Sequence, residues 1–241
     1  MDVHIPKPGH GWRALAREIG IIVLGVLIAL AAEQGVSALH ERTLAAQTRT
    51  AARAELRAAL MLFINRRAIQ PCIERRLDEV ERLLEASDQP GYRPPAWIGR
   101  PQRWGFSSAG WDAAAQSGRV ALLGQADQTE FGALYTRLHD LNELQLEEQR
   151  AWALMRQLEN QTRLEPQTRA GVRAAVQEAR LTNWNIRVDL EQSFADGKTL
   201  GLVTEPTRLT ASPSICLPTN TPRAQAVARV NAFFADKLGE P

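Results

Sequence analysis

The stretch EIGIIVLGVLIALAAEQG (residues 18–35) decides the fold. Within it, residues 19–32 carry no charge and no strong hydrogen-bonding side chain. A helix that crosses a bilayer core needs about 20 such residues. The flanks supply the rest, with Leu15 before and Leu39 after, so 15–39 reads as one tilted transmembrane helix behind a short tail, 1–14. Trp12 sits where an aromatic interface anchor belongs. Arg13 and Arg17 can lay their stems along the apolar surface and keep their heads at the lipid headgroups, while Glu33 lies near the far end, within reach of water. Two other readings stay open. Lys7, Arg13 and Arg17 before the apolar run, with Ala29-Leu30-Ala31 near its end, also form a cleavable signal peptide. A buried core helix is the third, but apolar residues on every side suit lipid better than a one-sided core.

Orientation follows from the nearer charges. Lys7, Arg13 and Arg17 precede the span, and Arg42, Arg49, Arg53 and Arg57 follow it at greater distance. That bias and the short tail favour an inside N-terminus, with residues 40–241 outside the cytoplasm.

Past the span, no Gly or Pro interrupts residues 42–69, and strong helix formers dominate. Leu56, Leu60, Phe63 and Ile64 share one face, so the membrane helix is expected to run on unbroken from Trp12 to Ile69. Pro71 restarts it. Ile73, Leu77, Val80 and Leu84 then stripe a helix that ends near Ala86. Ser107 or Ser108 can cap a short helix stopped by Gly118, and residues 120–123 are a short apolar run. Asp127-Gln128-Thr129-Glu130 has the form of a capping box for a helix reaching about Gln161. Phe131, Leu134, Leu138, Leu141, Trp152, Met155 and Leu158 make its apolar face, with a more polar middle at 145–149. Pro166 opens the next helix, striped by Val172, Val176, Ala179, Ile186, Leu190 and Phe194 and ended by Gly197. A loop, 198–220, leads to a last helix with Val227, Val230, Phe234 and Leu238 inward. No long period-two strand pattern occurs. The expected fold is all-α: a transmembrane helix continuing into an antiparallel helical bundle.

The segment 87–107 is not a regular element, because Pro90, Pro94, Pro95, Pro101 and three glycines interrupt it. It interleaves Tyr92, Trp97, Trp104 and Phe106 with Arg93, Arg100 and Arg103. Exposed, such a set is a partner-binding loop. Folded back, it is a lid over one end of the bundle, the favoured reading. Trp152 and Trp184 lie on helix faces and read as core.

Of the chemistry-bearing residues, 29 basic and 27 acidic ones give a net charge of +2, which makes no case for nucleic acid as a partner. Arginines interleaved with glutamates read as solvated helix faces. No phosphate loop, dinucleotide fingerprint, nucleophile elbow or zinc spacing occurs. The four histidines have no ligand spacing, and His139 beside Asp140 points about 100° away from it. No catalytic residue, metal or cofactor is expected. In an oxidising compartment the two cysteines, Cys72 and Cys216, would pair and close a loop of about 145 residues. Such a bridge is worth at most about 5 kcal/mol by chain entropy. Two separate buried thiols are the alternative.

WRALAREIGIIVLGVLIALAAEQ (12–34), CIERRL (72–77), WDAAAQSG (111–118) and ICLPTNTPRA (215–224) together resemble an uncharacterised family of bacterial single-pass membrane proteins. The resemblance implies an anchored helical protein of unknown function and supplies no catalytic residues. The expectation is a non-enzymatic interaction or scaffold protein of the bacterial envelope, single-pass in the inner membrane with its main domain periplasmic. Its partners would be the lipid bilayer and an envelope protein or further copies of itself. Two alternatives stand beside it. One is a sensory or ligand-binding module acting through a membrane partner; the other is a signal-cleaved soluble periplasmic domain.

Overall fold

The computed structural model describes residues 11–203 and 214–238, excepting the side chains of 13, 14 and 234–238. Lys7, His4, His10, the side chains of Arg13, Phe234 and Leu238, and part of the 198–220 loop therefore lie outside the described residues. Among the described residues every regular element is helical. The first, α1 (Trp12–Ala68), is one continuous helix of 57 residues, about 86 Å long at 1.5 Å per residue. It holds an 18-residue window of mean hydropathy 2.2, none of it buried. By length and composition this helix can cross a membrane.

The break after α1 is local chemistry. Pro71 has no N–H to give and falls in the first turn of α2 (Gln70–Ala86). The Ile69 carbonyl accepts the N–H groups of Cys72 and Ile73 instead, at 3.0 and 3.1 Å. A short α3 (Ala109–Gln116) and a 3-10 turn (Arg119–Leu122) follow, with Gly118 between them at φ +74°. Next come α4 (Gln125–Met155), α5 (Pro166–Thr199), a 3-10 turn at Ser214–Cys216, and α6 (Arg223–Leu238).

The bundle is built as a rod in two storeys. In the lower storey, α1 packs its Leu56, Leu60 and Phe63 against Phe131, Leu134 and Leu138 of α4 and Ile186 and Leu190 of α5. In the upper storey α2 takes the place of α1, and its Ile73, Leu77 and Val80 meet Trp152 and Met155 of α4 and Val172, Val176 and Ala179 of α5. The four long helices thus present three at each level, because α1 and α2 share one side end to end.

Several boundaries differ from the sequence reading. The α4 helix begins at Gln125. Asp127 is therefore inside the first turn and pairs with Arg49 of α1 rather than capping a box. The same helix stops at Met155 with a 3-10 turn to Leu158 instead of reaching Gln161. The α5 helix runs past Gly197 to Thr199. Its stop is Gly201 at φ +64°, where the Leu202 N–H donates to the Gly197 carbonyl at 2.7 Å and the Gly201 N–H to that of Lys198 at 3.0 Å. That is the paired-bond helix ending in which a left-handed glycine is the usual residue. Gly197 serves packing: a Cβ there would lie 2.5 Å from Leu60 Cδ1. On α6, Ala226 is the buried contact, against Trp97 and Leu217, whereas Val227 is exposed and Val230 half-buried. Ala226 takes the inward position, so the adjacent Val227 is turned about 100° away from it and faces solvent.

Candidate functional site

The irregular segment 87–107 lies on α4 as a strap. An extended backbone needs partners for its N–H and C=O groups wherever it is buried. The polar middle of α4 supplies them. Gln145 accepts the Trp104 N–H through Oε1 at 2.8 Å and donates Nε2 to the Trp104 carbonyl at 3.1 Å. Gln149 donates to the Pro101 carbonyl at 2.7 Å and Asn142 to that of Phe106 at 3.3 Å. Asn142, Gln145 and Gln149, spaced three and four apart, form one ladder along α4.

The other edge of the strap is held by α2 and the Cys216 turn. Trp97 is buried, and its Nε1 donates to the Ser214 carbonyl at 3.0 Å. The N–H groups of Ala96 and Trp97 both donate to the Thr219 carbonyl. Arg76, fully buried, donates to the carbonyls of Trp97, Ile98 and Leu217 and pairs through Nε with Glu79 at 2.8 Å. One guanidinium fork thus clasps strap and C-terminal segment to α2, a geometry that five fixed donors allow. Cys72 and Cys216 are joined by a disulfide next to this clasp, with Cα atoms 4.9 Å apart. Gly99, at φ +71°, is required where the strap passes Trp97, since a Cβ would stand 2.8 Å from its Nε1.

Below the strap, α3 docks on α1. Glu55 accepts the N–H groups of Gly110 and Trp111 at 3.2 Å each. It thereby satisfies free amides that Ser108 leaves uncapped at the start of α3. Its Oε2 also accepts the Tyr135 hydroxyl at 2.7 Å. Trp111 stacks on Tyr135, with ring centroids 4.7 Å apart, and meets Phe131 edge-on. Burial, reinforced by Glu55, raises the Tyr135 hydroxyl far above its ordinary value.

Between the two storeys sits a polar layer. Arg66 and Glu148, both 0 % exposed, form an ion pair at 2.8 Å across α1 and α4. The same Arg66 Nη2 donates to Asn183 of α5 at 3.0 Å, and Nη1 donates to Gln70 at 3.1 Å. Burial pushes the Glu148 carboxyl up and Arg66 opposes that shift; burial also lowers Arg66. Arg66 Nε, Glu148 Oε2 and Trp152 Nε1 are buried without a hydrogen-bond partner, so the layer carries a desolvation cost that its bonds only partly offset. Both arginines correct the expectation that the basic residues are all solvated.

The structure brings Cys72 and Cys216 together. It leaves Trp12, Arg17 and Glu33 exposed along α1, away from the bundle. Of the loop residues, Trp97 is buried, Tyr92 and Trp104 are half-buried, and Arg93, Arg100 and Arg103 are exposed. The strap therefore turns aromatic rings inward and guanidiniums outward. Trp152 is core, but Trp184 is 53 % exposed, on the face of α5 opposite its buried stripe. Two cavities lie at the edges of the bundle. One of about 80 Å³ lies between α1 and α3 beside Trp111, and one of about 300 Å³ lies at the turn into α5, lined by Gln157, Arg163 and Thr168. Among the described residues no group of three or more His, Cys, Asp or Glu side chains is placed to hold a metal ion.

No family model, curated protein or solved structure matches the chain.

Proposed function

We propose that the chain is a single-pass, non-enzymatic interaction or scaffold protein of a bacterial envelope, anchored by residues 15–39, with residues 40–241 on the periplasmic side of the inner membrane. The observation that carries the reading is α1 itself. One uninterrupted helix joins an exposed apolar stretch to the side of a rigid bundle, so any force or position imposed at the membrane is carried into the domain. The bundle interior adds support. Its converging polar groups, Arg66, Glu148 and Asn183, bond to one another, and Gln145 and Gln149 bond to the strap backbone. The Cys72–Cys216 bridge favours the oxidising side of the membrane, because cytosolic thiols are held reduced.

The test is the mass and location of the chain in a bacterial host. Membranes are washed with alkaline carbonate, and the intact mass is recorded with and without reductant. A full-length mass retained in the washed membrane, two hydrogens lighter before reduction, is the expected result. Protease added to spheroplasts should then degrade residues 40–241. A mass beginning at Ala32, or a chain released by the wash, refutes the anchor. Free thiols with a protected domain refute the orientation.

A further inference from the structure

Surface helices of water-soluble domains turn their charges outward and their apolar stripe inward. The stretch of α1 from Gln47 to Ala68, well beyond the apolar span, buries its apolar stripe in the same way but sends its charges to the flanks of that stripe. It holds six charged residues, and each bonds to another part of the bundle. Arg49 pairs with Asp127, Arg53 donates to the Leu200 carbonyl, and Glu55 accepts from Gly110 and Trp111. Arg57 donates to the Leu202 carbonyl, Arg66 pairs with Glu148, and Arg67 pairs with Glu191. The face turned away from α4 and α5 carries Gln47, Ala51, Ala54, Ala58, Met61 and Asn65, spaced four, three, four, three and four, with Ala51 at its edge, where it lines the small cavity against α3. None is charged. All are exposed except Asn65, which is half-buried, and Met61 with its neighbour Leu62 is 39 % exposed. At 1.5 Å per residue this uncharged strip is about 30 Å long.

We propose that this face is the seam of a parallel twofold dimer of the chain. The inference rests on the anchored reading given above. Two copies held in one bilayer by the same helix enter the periplasm side by side and in the same direction. In a parallel symmetric pair each seam residue meets its own copy. A charge there would face an identical charge, which is repulsive whatever its sign. An uncharged seam on a stretch whose six charges all bond to other parts of the bundle meets that condition, and it is what self-contact requires of an arginine-rich helix. A different partner would face no such constraint and could use the arginines as complements. The spacing is the seven-residue repeat of a two-stranded coil. Alanines let the two backbones approach closely, and Asn65 can pair with its own copy across the axis and set the register.

The test uses the full chain in native membranes. Its two native cysteines are bridged, so a bismaleimide of short span reacts only at an introduced thiol. Ala54→Cys and Ala58→Cys are compared with Leu181→Cys, which is 58 % exposed on α5 and away from the seam. The expected result is a band at twice the chain mass from both seam positions, at least tenfold stronger than from Leu181→Cys. Adding Ala58→Arg to Ala54→Cys should remove the band. Because Ala58 is exposed, that variant should keep the unfolding midpoint of the parent in detergent. No band from either seam cysteine, equal bands from all three, or a band at the mass of some other protein overturns the proposal. Carbonate washing of the same membranes separates the two claims. A chain that washes off sinks the anchored reading and the dimer with it, whereas a monomer that stays in the membrane sinks the dimer alone.

Discussion

Removing Glu148 alone should be among the most damaging single changes in the bundle. Glu148→Leu deletes the carboxylate 2.8 Å from Arg66 and leaves the guanidinium at 0 % exposure with the neutral Asn183 and Gln70 as its remaining partners. Stranding one charge of a buried pair costs about 3–5 kcal/mol. For a domain of this size 1 kcal/mol moves the midpoint by about 2–4 °C, so the loss is about 6–20 °C. The Arg66→Met, Glu148→Leu pair removes both charges and replaces them with apolar groups of similar length. It should return stability to within about 1 kcal/mol of the parent or exceed it, because desolvating the ions no longer has to be offset. The assay is thermal and guanidinium unfolding of the parent, Glu148→Leu, Arg66→Met and the double variant in detergent, followed by near-ultraviolet circular dichroism, which reads side-chain packing around aromatic residues such as Trp152. The cycle is refuted if Glu148→Leu costs under about 1 kcal/mol, since the pair is then not dry. It is equally refuted if the double variant loses the sum of the two single losses, since the groups are then uncoupled.

Three further outcomes follow from the packing. Gly197→Ala should cost about 1–3 kcal/mol by pushing a methyl onto Leu60 and Val203, read as a lower unfolding midpoint with unchanged helix content. Arg76→Met should free the strap from α2, so that trypsin cuts after Arg103, the strap arginine not followed by proline, many times faster than in the parent while the bundle core still melts cooperatively; unchanged cutting would show that the clasp does not hold the strap. Above about pH 10 the unfolded chain loses its tyrosine protons while folded Tyr135, raised by burial and Glu55, keeps its own. The folded state then binds more protons, so stability falls as pH rises, by up to about 1.4 kcal/mol per unit from this group, and Tyr135→Phe should flatten that limb in denaturant titrations from pH 9 to 11.

The amino-acid sequence by itself determined the helices. Unbroken helix formers set the run of α1, Pro71 its restart, Pro166 the start of α5, and apolar stripes the inward faces of α2, α4 and α5. These are local effects of backbone sterics and periodicity. Part of the polar layer was legible too. The α4 stripe runs 131, 134, 138, 141, 145, 148, 152, 155, so steady spacing places Gln145 and Glu148 inward, as 179, 183, 186 does for Asn183. Reading by polarity instead of by spacing passes over them.

What only the tertiary structure decided is which groups share a level. Arg66 and Glu148 are 82 positions apart and Arg76 and Leu217 are 141 apart. No periodicity links them, because their meeting depends on α2 replacing α1 in the rod and on the strap lying along α4. The outward neutrality of α1 between Gln47 and Ala68 likewise emerges once each charge of that stretch is seen to have a destination. A helix wheel gives the direction of a charge, but only the packed neighbours say whether it points at water or at a partner.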